Sequence, residues 1–306
     1  MVTIFTDRRI SANIRRLVVL IFLAACLAVI QFSCSSEKPQ ALLVAVSILP
    51  QQDFLQHVIG DEPYSIMVLI PPGASPETYA LGPGQMEQLS RARAYFKLGS
   101  GLPFENVWLG KIENLNPTMP VIDCSNGVEI MTGASEGESG TGAHGEDPHI
   151  WLSPQNAMIM VTNMAEGMSE IDPAHKSAYH QNADTYIGRL KQLDIEIKDK
   201  FAEITNRNFI IFHPAWGYYA REFRLNQIPI EIEGKEPKVS ALEDLVKTAN
   251  KENIRTVFAS PEFNAESARV IAREINGQVV FIDPLAEDYI TNMLEVTGKL
   301  AEAMKQ

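Results

Sequence analysis

Basic residues are scarce: 26 Lys and Arg stand against 38 Asp and Glu in 306 residues, for a net charge of -12. No cationic stripe is left to neutralise phosphates, which excludes nucleic acid as a partner. Cysteine is scarcer. Of the three, Cys26 and Cys34 fall near the amino end and Cys124 is the only thiol in the body of the chain. An internal disulfide framework is therefore excluded, and a hydrophobic core must hold the fold. Cys124 itself reads as a small buried hydrophobe at a strand end. A compact His-Glu-x-x-His ligand cluster is missing as well, so a helical zinc-protease site is excluded. The apolar run LVVLIFLAACLAVIQF at 17–32 is short for a comfortable membrane span of ~20 residues.

What is present fits a secreted globular protein. A hydrophobic content of 45% with 21% charged residues can build a sizeable core, and the length suits two domains of ~100–200 residues each. Arg8, Arg9, Arg15 and Arg16 precede the apolar run, the layout of an export signal. The strings LAAC, ending at Cys26, and QFSC, ending at Cys34, both resemble the cleavage box of bacterial lipoproteins, in which the cysteine is acylated. Cys26 has the better residues before it; Cys34 is favoured because CSSEKPQA after it reads as a polar tether. Residues 1–34 are thus a lipoprotein signal segment and 35–41 a tether. The expected location is periplasmic or extracytoplasmic, anchored to the membrane by lipid.

Beyond the tether, apolar runs alternate with helical patterns. LLVAVSIL (42–49), YSIMVLIP (64–71), AYFKLG (94–99) and PVIDCS (120–125) read as strands, as do NFIIFH (208–213), QIPIEIE (227–233), IRTVFAS (254–260) and QVVFIDPL (278–285). Such alternation predicts an α/β fold of two Rossmann-like lobes with mainly parallel sheets, 42–172 and 206–306. Between them Tyr186, Leu190, Leu193, Ile197, Phe201 and Ile204 recur at spacings of three and four, one face of a long linking helix at 173–205. Gly188 is its weak point. The Gly, Ser and Glu stretch at 132–147 reads as a mobile surface loop.

Ligands gather beyond the carboxyl ends of strands in open parallel sheets. Metal-capable residues stand at such places: Glu77 after LIPPGASP, His149 in DPHIW, His213 after NFIIF and Asp283 in FIDPL. Two come from each lobe, and the site is expected in the cleft between them. The strings PPGASPETYALGP, DPHIWLSP, HPAWGYYAREF and IDPL resemble the ligand motifs of the solute-binding proteins of bacterial zinc and manganese ABC importers, the cluster A-I metal-binding lipoproteins. The likeness spans roughly residues 42–304, and DPHIWLSP together with HPAWGY is a specific pair. It implies one divalent transition metal held by Glu77, His149, His213 and Asp283. One departure is notable: the family's first motif usually carries histidine where this chain has Glu77.

Two imidazoles and two carboxylates make a formally neutral site around a dication, which lowers the cost of burial. Glu77 moves the set toward oxygen and leaves one-oxygen and two-oxygen binding both open. Zinc is favoured, manganese next and ferrous iron third. Asp147 is expected to orient His149, Tyr79 and Trp216 to wall the cleft, and Lys235, Glu236 and Glu262 to stand at its rim. His144, alone in the loop, is a poorer candidate. The resemblance implies a monomer that delivers its ion to an ABC permease. The rival reading is a metal-dependent hydrolase using the same cluster with an open position for water; an adhesive or structural role is a third.

Overall fold

The computed structural model describes residues 41–132, 145–231 and 239–305. Cys26, Cys34, His144, Lys235 and Glu236 lie outside these, so the signal segment, the tether and most of the loop at 132–147 are not part of the description. The loop's flanks do meet, through an antiparallel bridge between Thr132 and Glu146.

In the first lobe, β1 (Leu42–Val46), α1 (Leu49–Ile59), β2 (Tyr64–Val68), α2 (Pro83–Leu89), β3 (Ala94–Lys97), α3 (Pro103–Leu115) and β4 (Val121–Asp123) follow one another. The second lobe repeats the scheme with β5 (Asn208–Ile211), α6 (Gly217–Phe223), β6 (Asn226–Pro229), α7 (Val239–Lys251), β7 (Thr256–Ala259), α8 (Glu266–Glu274), β8 (Gln278–Phe281) and α9 (Tyr289–Met304). Each lobe holds a four-stranded parallel sheet, in the orders β2-β1-β3-β4 and β6-β5-β7-β8. The central strands are unbroken apolar runs because helices cover both faces. Val44, Ala45 and Val46 of β1 and all four residues of β7 are buried.

Between the lobes run α4 (Pro154–Ile171), a 3-10 turn (Pro173–His175) and α5 (Lys176–Phe201). Ser153 caps α4 by accepting the Asn156 N–H at 3.1 Å, and Pro154 opens it. The linking helix is shorter than the apolar stripe implies. The residues after Asp172 form the 3-10 turn, so α5 begins at Lys176 and its 26 residues span about 39 Å at 1.5 Å each. Gly188 does not break it.

The helix face made of Tyr179, Ala183, Tyr186, Leu190, Leu193, Ile197 and Phe201 is buried. It packs against α1 and α4 on one side and α9 on the other. Phe54 of α1 meets Tyr289 of α9 edge to face at 4.8 Å. One apolar cluster consequently runs from Val44 of the first sheet through Leu190 to Phe209 and Leu300 of the second lobe. A separate cluster, including Ile210, Val257 and Ile271, fills the far face of the second sheet. Burial of each large side chain contributes roughly 1.5–3 kcal/mol, so the shared core joins the lobes far more firmly than a tether would. Among the described residues no helix is long and apolar enough to cross a membrane.

Leu190 is fully buried while Ile195, on the same helix, is 50% exposed. Leu190→Ala is expected to lower unfolding stability by about 2–5 kcal/mol, and Ile195→Ala to change it by no more than ~0.5 kcal/mol. Urea titration of both variants measures this; equal losses would contradict a core continuous through the helix.

Candidate metal centre

The second lobe presents its polar residues by a simple rule. His213, Glu231, Glu262 and Asp283 each stand two or three residues past the carboxyl end of β5, β6, β7 and β8 in turn. Sheet pairing continues past these strands and fixes the backbone there: Phe212 N donates to Phe258 O at 2.8 Å, Glu231 N to Phe212 O at 3.0 Å, and Ile282 N to Ala259 O at 3.0 Å. The strand order reverses between β5 and β7, the crevice where open α/β sheets take ligands. His213 and Glu262 flank it.

The first lobe brings His149 and Glu77. His149 precedes a 3-10 turn, Ile150–Leu152, that is anchored on the second lobe: Trp151 Nε1–H donates to Pro284 O at 2.7 Å, and the Tyr218 hydroxyl to Asp147 O at 3.1 Å. Asp147 Oδ1 accepts from His149 N at 3.0 Å and faces its Nδ1 at 2.8 Å, as the sequence led us to expect. Gly217 makes room for this, since a Cβ there would stand 2.5 Å from Asp147 Oδ2. The floor beneath is held by Glu105, a buried carboxylate that accepts from Leu98 N at 2.6 Å, Gly99 N at 2.9 Å, the Tyr95 hydroxyl at 3.3 Å and the Ser47 hydroxyl. Burial raises the Glu105 carboxyl, against the pull of those donors. The loop it pins carries Ser100, whose hydroxyl donates to Pro148 O at 2.5 Å, next to His149.

With Nδ1 committed to Asp147, the acceptor nitrogen of His149 is Nε2. It faces His213 Nε2 at 3.3 Å, and His213 Nε2 lies 3.4 Å from Glu77 Oε1. Two ligand atoms each about 2.0–2.1 Å from a tetrahedral ion stand roughly 3.3–3.4 Å apart. His213 Nε2 is therefore at ligand-to-ligand spacing from His149 and from Glu77, although His149 and Glu77 are not themselves brought together in one three-residue group among the described residues. His213 Nδ1, on the other edge of the ring, is 3.3 Å from Glu231 Oε2. Single ligand atoms of Glu77, His213 and Glu231 can all be chosen within 4.8 Å of one another.

Asp283 is the member of the expected set that stands apart. Its Oδ1 accepts from Leu285 N at 2.7 Å, and among the described residues no ion pair joins it to either imidazole. Its carboxyl faces Glu262, whose own carboxyl is raised to about 7 by burial and further by Asp283, against the opposing pull of His213. Glu262 Oε2 is buried without a hydrogen-bond partner among the described residues. Two crowded carboxyls with an orphaned oxygen disfavour further negative charge and would be relieved by a cation.

Glu77, His149, His213 and Glu262 line one cavity. Its apolar walls are Trp151, Phe263, Leu102 and Pro284. Trp216 and Tyr79 are not among them: Trp216 is fully buried and Tyr79 donates to Gln85 at 2.7 Å.

Residues 44–303 match the model of the family described as ZnuA, zinc-uptake complex component A, periplasmic. The chain belongs to the ZnuA family. A crystal structure of ZnuA is 38% identical, covers 86% of this chain and 99% of that one, and superposes with a TM-score of 0.81. A ZnuA deletion mutant with zinc bound gives 37% identity, 86% and 98% coverage and a TM-score of 0.80. The high-affinity zinc uptake system protein ZnuA of Bacillus subtilis (strain 168) is 26% identical, over 82% of this chain and 81% of its own length. As a ZnuA-family chain, the protein is the metal-binding component of an ABC uptake system, a transport component rather than an enzyme. The hydrolase reading falls with that.

Behind the centre, Ser153 donates to Glu222 of α6, and burial, with the neighbouring Asp194 of α5 adding to it, raises the Glu222 carboxyl to about 7. The native protein thus keeps a proton that the unfolded chain loses near 4.5, so the stability linked to this group is complete below that pH and is lost as pH rises through about 7. Glu222→Gln has no proton to lose. Its stability relative to the parent protein should rise across that window and level off above it, as read from urea midpoints; a difference that does not vary with pH would contradict the assignment.

Proposed function

We propose that the protein captures one divalent transition metal outside the cytoplasmic membrane, zinc in preference to manganese, through Glu77, His149, His213 and Asp283, and hands it to an ABC permease. The observation that carries this reading is the pair of Nε2 atoms, one from each lobe, facing across 3.3 Å in the cavity they line. Glu77 lies at the same spacing from His213. Asp283 belongs to the set because two carboxylates neutralise a dication and because a cation would relieve its crowding with Glu262. Zinc is favoured because it accepts four-coordination by mixed nitrogen and oxygen ligands and by the Irving–Williams order over manganese; a zinc-bound ZnuA mutant and a relative described as a zinc uptake protein support the same preference. Anchoring by an acylated Cys34, with Cys26 as the alternative, and a monomeric state complete the proposal.

Dialysed protein should gain about 2.7 kcal/mol of stability when free zinc is a hundredfold above its dissociation constant. Thermal melts with zinc, manganese and ferrous iron measure the gain; no response to any of them would overturn the proposal. His149→Ala and His213→Ala should each remove most of the zinc response. Asp283→Asn should weaken binding by at least ~10-fold, the lower bound for loss of a supporting group; unchanged affinity on calorimetry would strike Asp283 from the ligand set.

A further inference from the structure

We infer that Glu231 is a positioning residue for metal capture: its carboxylate holds the Nδ1 proton of His213 and so fixes the Nε2 lone pair toward the cavity. The inference rests on the metal-binding reading above and extends it to a residue outside the four expected ligands.

Glu231 is only 5% exposed, and a buried carboxylate is costly unless a donor satisfies it. The donor at hand is His213, with Nδ1 3.3 Å from Oε2. Neutral imidazole has one N–H and one lone pair. A carboxylate on the Nδ1 edge stabilises the tautomer with the proton there, which leaves Nε2 as the ligand atom. That same Nε2 faces His149 Nε2 and Glu77 Oε1. Phe263 stacks on the ring with centroids 4.5 Å apart and planes at 26°, so the imidazole is held from its edge and from its face.

Two features set this apart from an incidental contact. The first is the backbone: Ile230 N donates to Ile211 O at 2.8 Å and Glu231 N to Phe212 O at 3.0 Å. These bonds prolong the β5 and β6 pairing and lock Glu231 in register one strand over from His213. The second is repetition. His149 has the same device, Asp147 on its Nδ1 at 2.8 Å, so each imidazole carries one carboxylate on the edge away from the shared cavity. A carboxylate behind a ligating histidine fixes its orientation and makes it a stronger donor.

Glu231 also lies close enough to Glu77 and His213 for the three to share an ion directly. Direct ligation by Glu231 would leave the His213 Nδ1 edge without its carboxylate partner and would not account for His149 Nε2 facing His213 Nε2. A glutamine substitution separates the two roles. An amide oxygen accepts an N–H as a carboxylate does, whereas a neutral amide in place of an anionic ligand loses most of the metal attraction.

The test uses zinc titration and 15N NMR of the imidazoles in dialysed protein, in mildly alkaline buffer where histidine is neutral. Glu231→Ala should lower zinc affinity ~10–100-fold and move the His213 signals from the Nδ1–H form toward the Nε2–H form. Glu231→Gln should keep the Nδ1–H form and restore most of the affinity. A melt without metal checks that both variants fold, and the glutamine variant decides the matter if the alanine variant does not. Equal losses for Gln and Ala would overturn positioning in favour of direct ligation. An unchanged tautomer or unchanged affinity in Glu231→Ala would overturn it as well. His213→Ala separates the two levels: if that variant binds zinc normally, the metal-binding reading itself fails, whereas if it loses zinc and Glu231→Ala does not, only the role of Glu231 is lost.

Discussion

Two imidazole nitrogens that face each other across 3.3 Å cannot both present lone pairs without repulsion. Something positive must sit between them, either a proton or a metal ion. The protein is built to keep them there. His149 is tied through Trp151 and Asp147 to the second lobe, while His213 leaves a central strand whose pairing continues to Phe212. Moving the His149 segment away from the second lobe would break the Trp151 and Tyr218 bonds. The charge partners of the two rings follow from this constraint: carboxylates behind each ring, and Glu77, Glu262 and Asp283 around the space in front.

The shared apolar core bears on how an ion enters and leaves. Tyr186, Leu190 and Leu193 of α5 are buried in the same cluster as Phe54 of the first lobe and Met293 of the second. A wide hinge opening would expose that cluster to water at a cost of roughly 1.5–3 kcal/mol for each large side chain. Motion is therefore directed to irregular segments. Glu77 is carried on such a segment, nine residues beyond β2, and at 32% its side chain is more exposed than that of either histidine.

Much of this was legible in the sequence. Apolar runs located all eight strands of the described residues, most plainly the central ones, which are covered on both faces and have no polar alternation to confuse them. The i, i+3, i+4 stripe from Tyr186 onward gave the linking helix. Boundaries were harder: LLVAVSIL reads as one strand, yet β1 stops at Val46 and α1 starts at Leu49, since Leu49 and Pro50 serve a helix start as well as a strand end. At the candidate site, His213 is conspicuous in the sequence because it follows an apolar run, whereas Glu77 and His149 are singled out by the resemblance of PPGASPETYALGP and DPHIWLSP to ligand motifs. Glu231 was missed for the opposite reason. Its alternating surroundings, IPIEIE, look like a half-exposed strand, so the glutamate reads as solvated. Only the end of β6 at Pro229 reveals it as the counterpart of His213 and Asp283. The cleft walls were misjudged as well: Trp216 is sealed in the core, and Phe263, from a loop without periodicity, stacks on His213 instead.

The central claim is that residues distant in the chain converge on one ion between the lobes. Diffraction from zinc-loaded crystals, with anomalous data collected on either side of the zinc edge, tests it most directly. The account predicts a single strong anomalous peak about 2.0–2.2 Å from His149 Nε2, His213 Nε2 and carboxylate oxygens of Glu77 and Asp283. A peak elsewhere, or none in this cavity while both imidazoles turn away from it, would contradict the account.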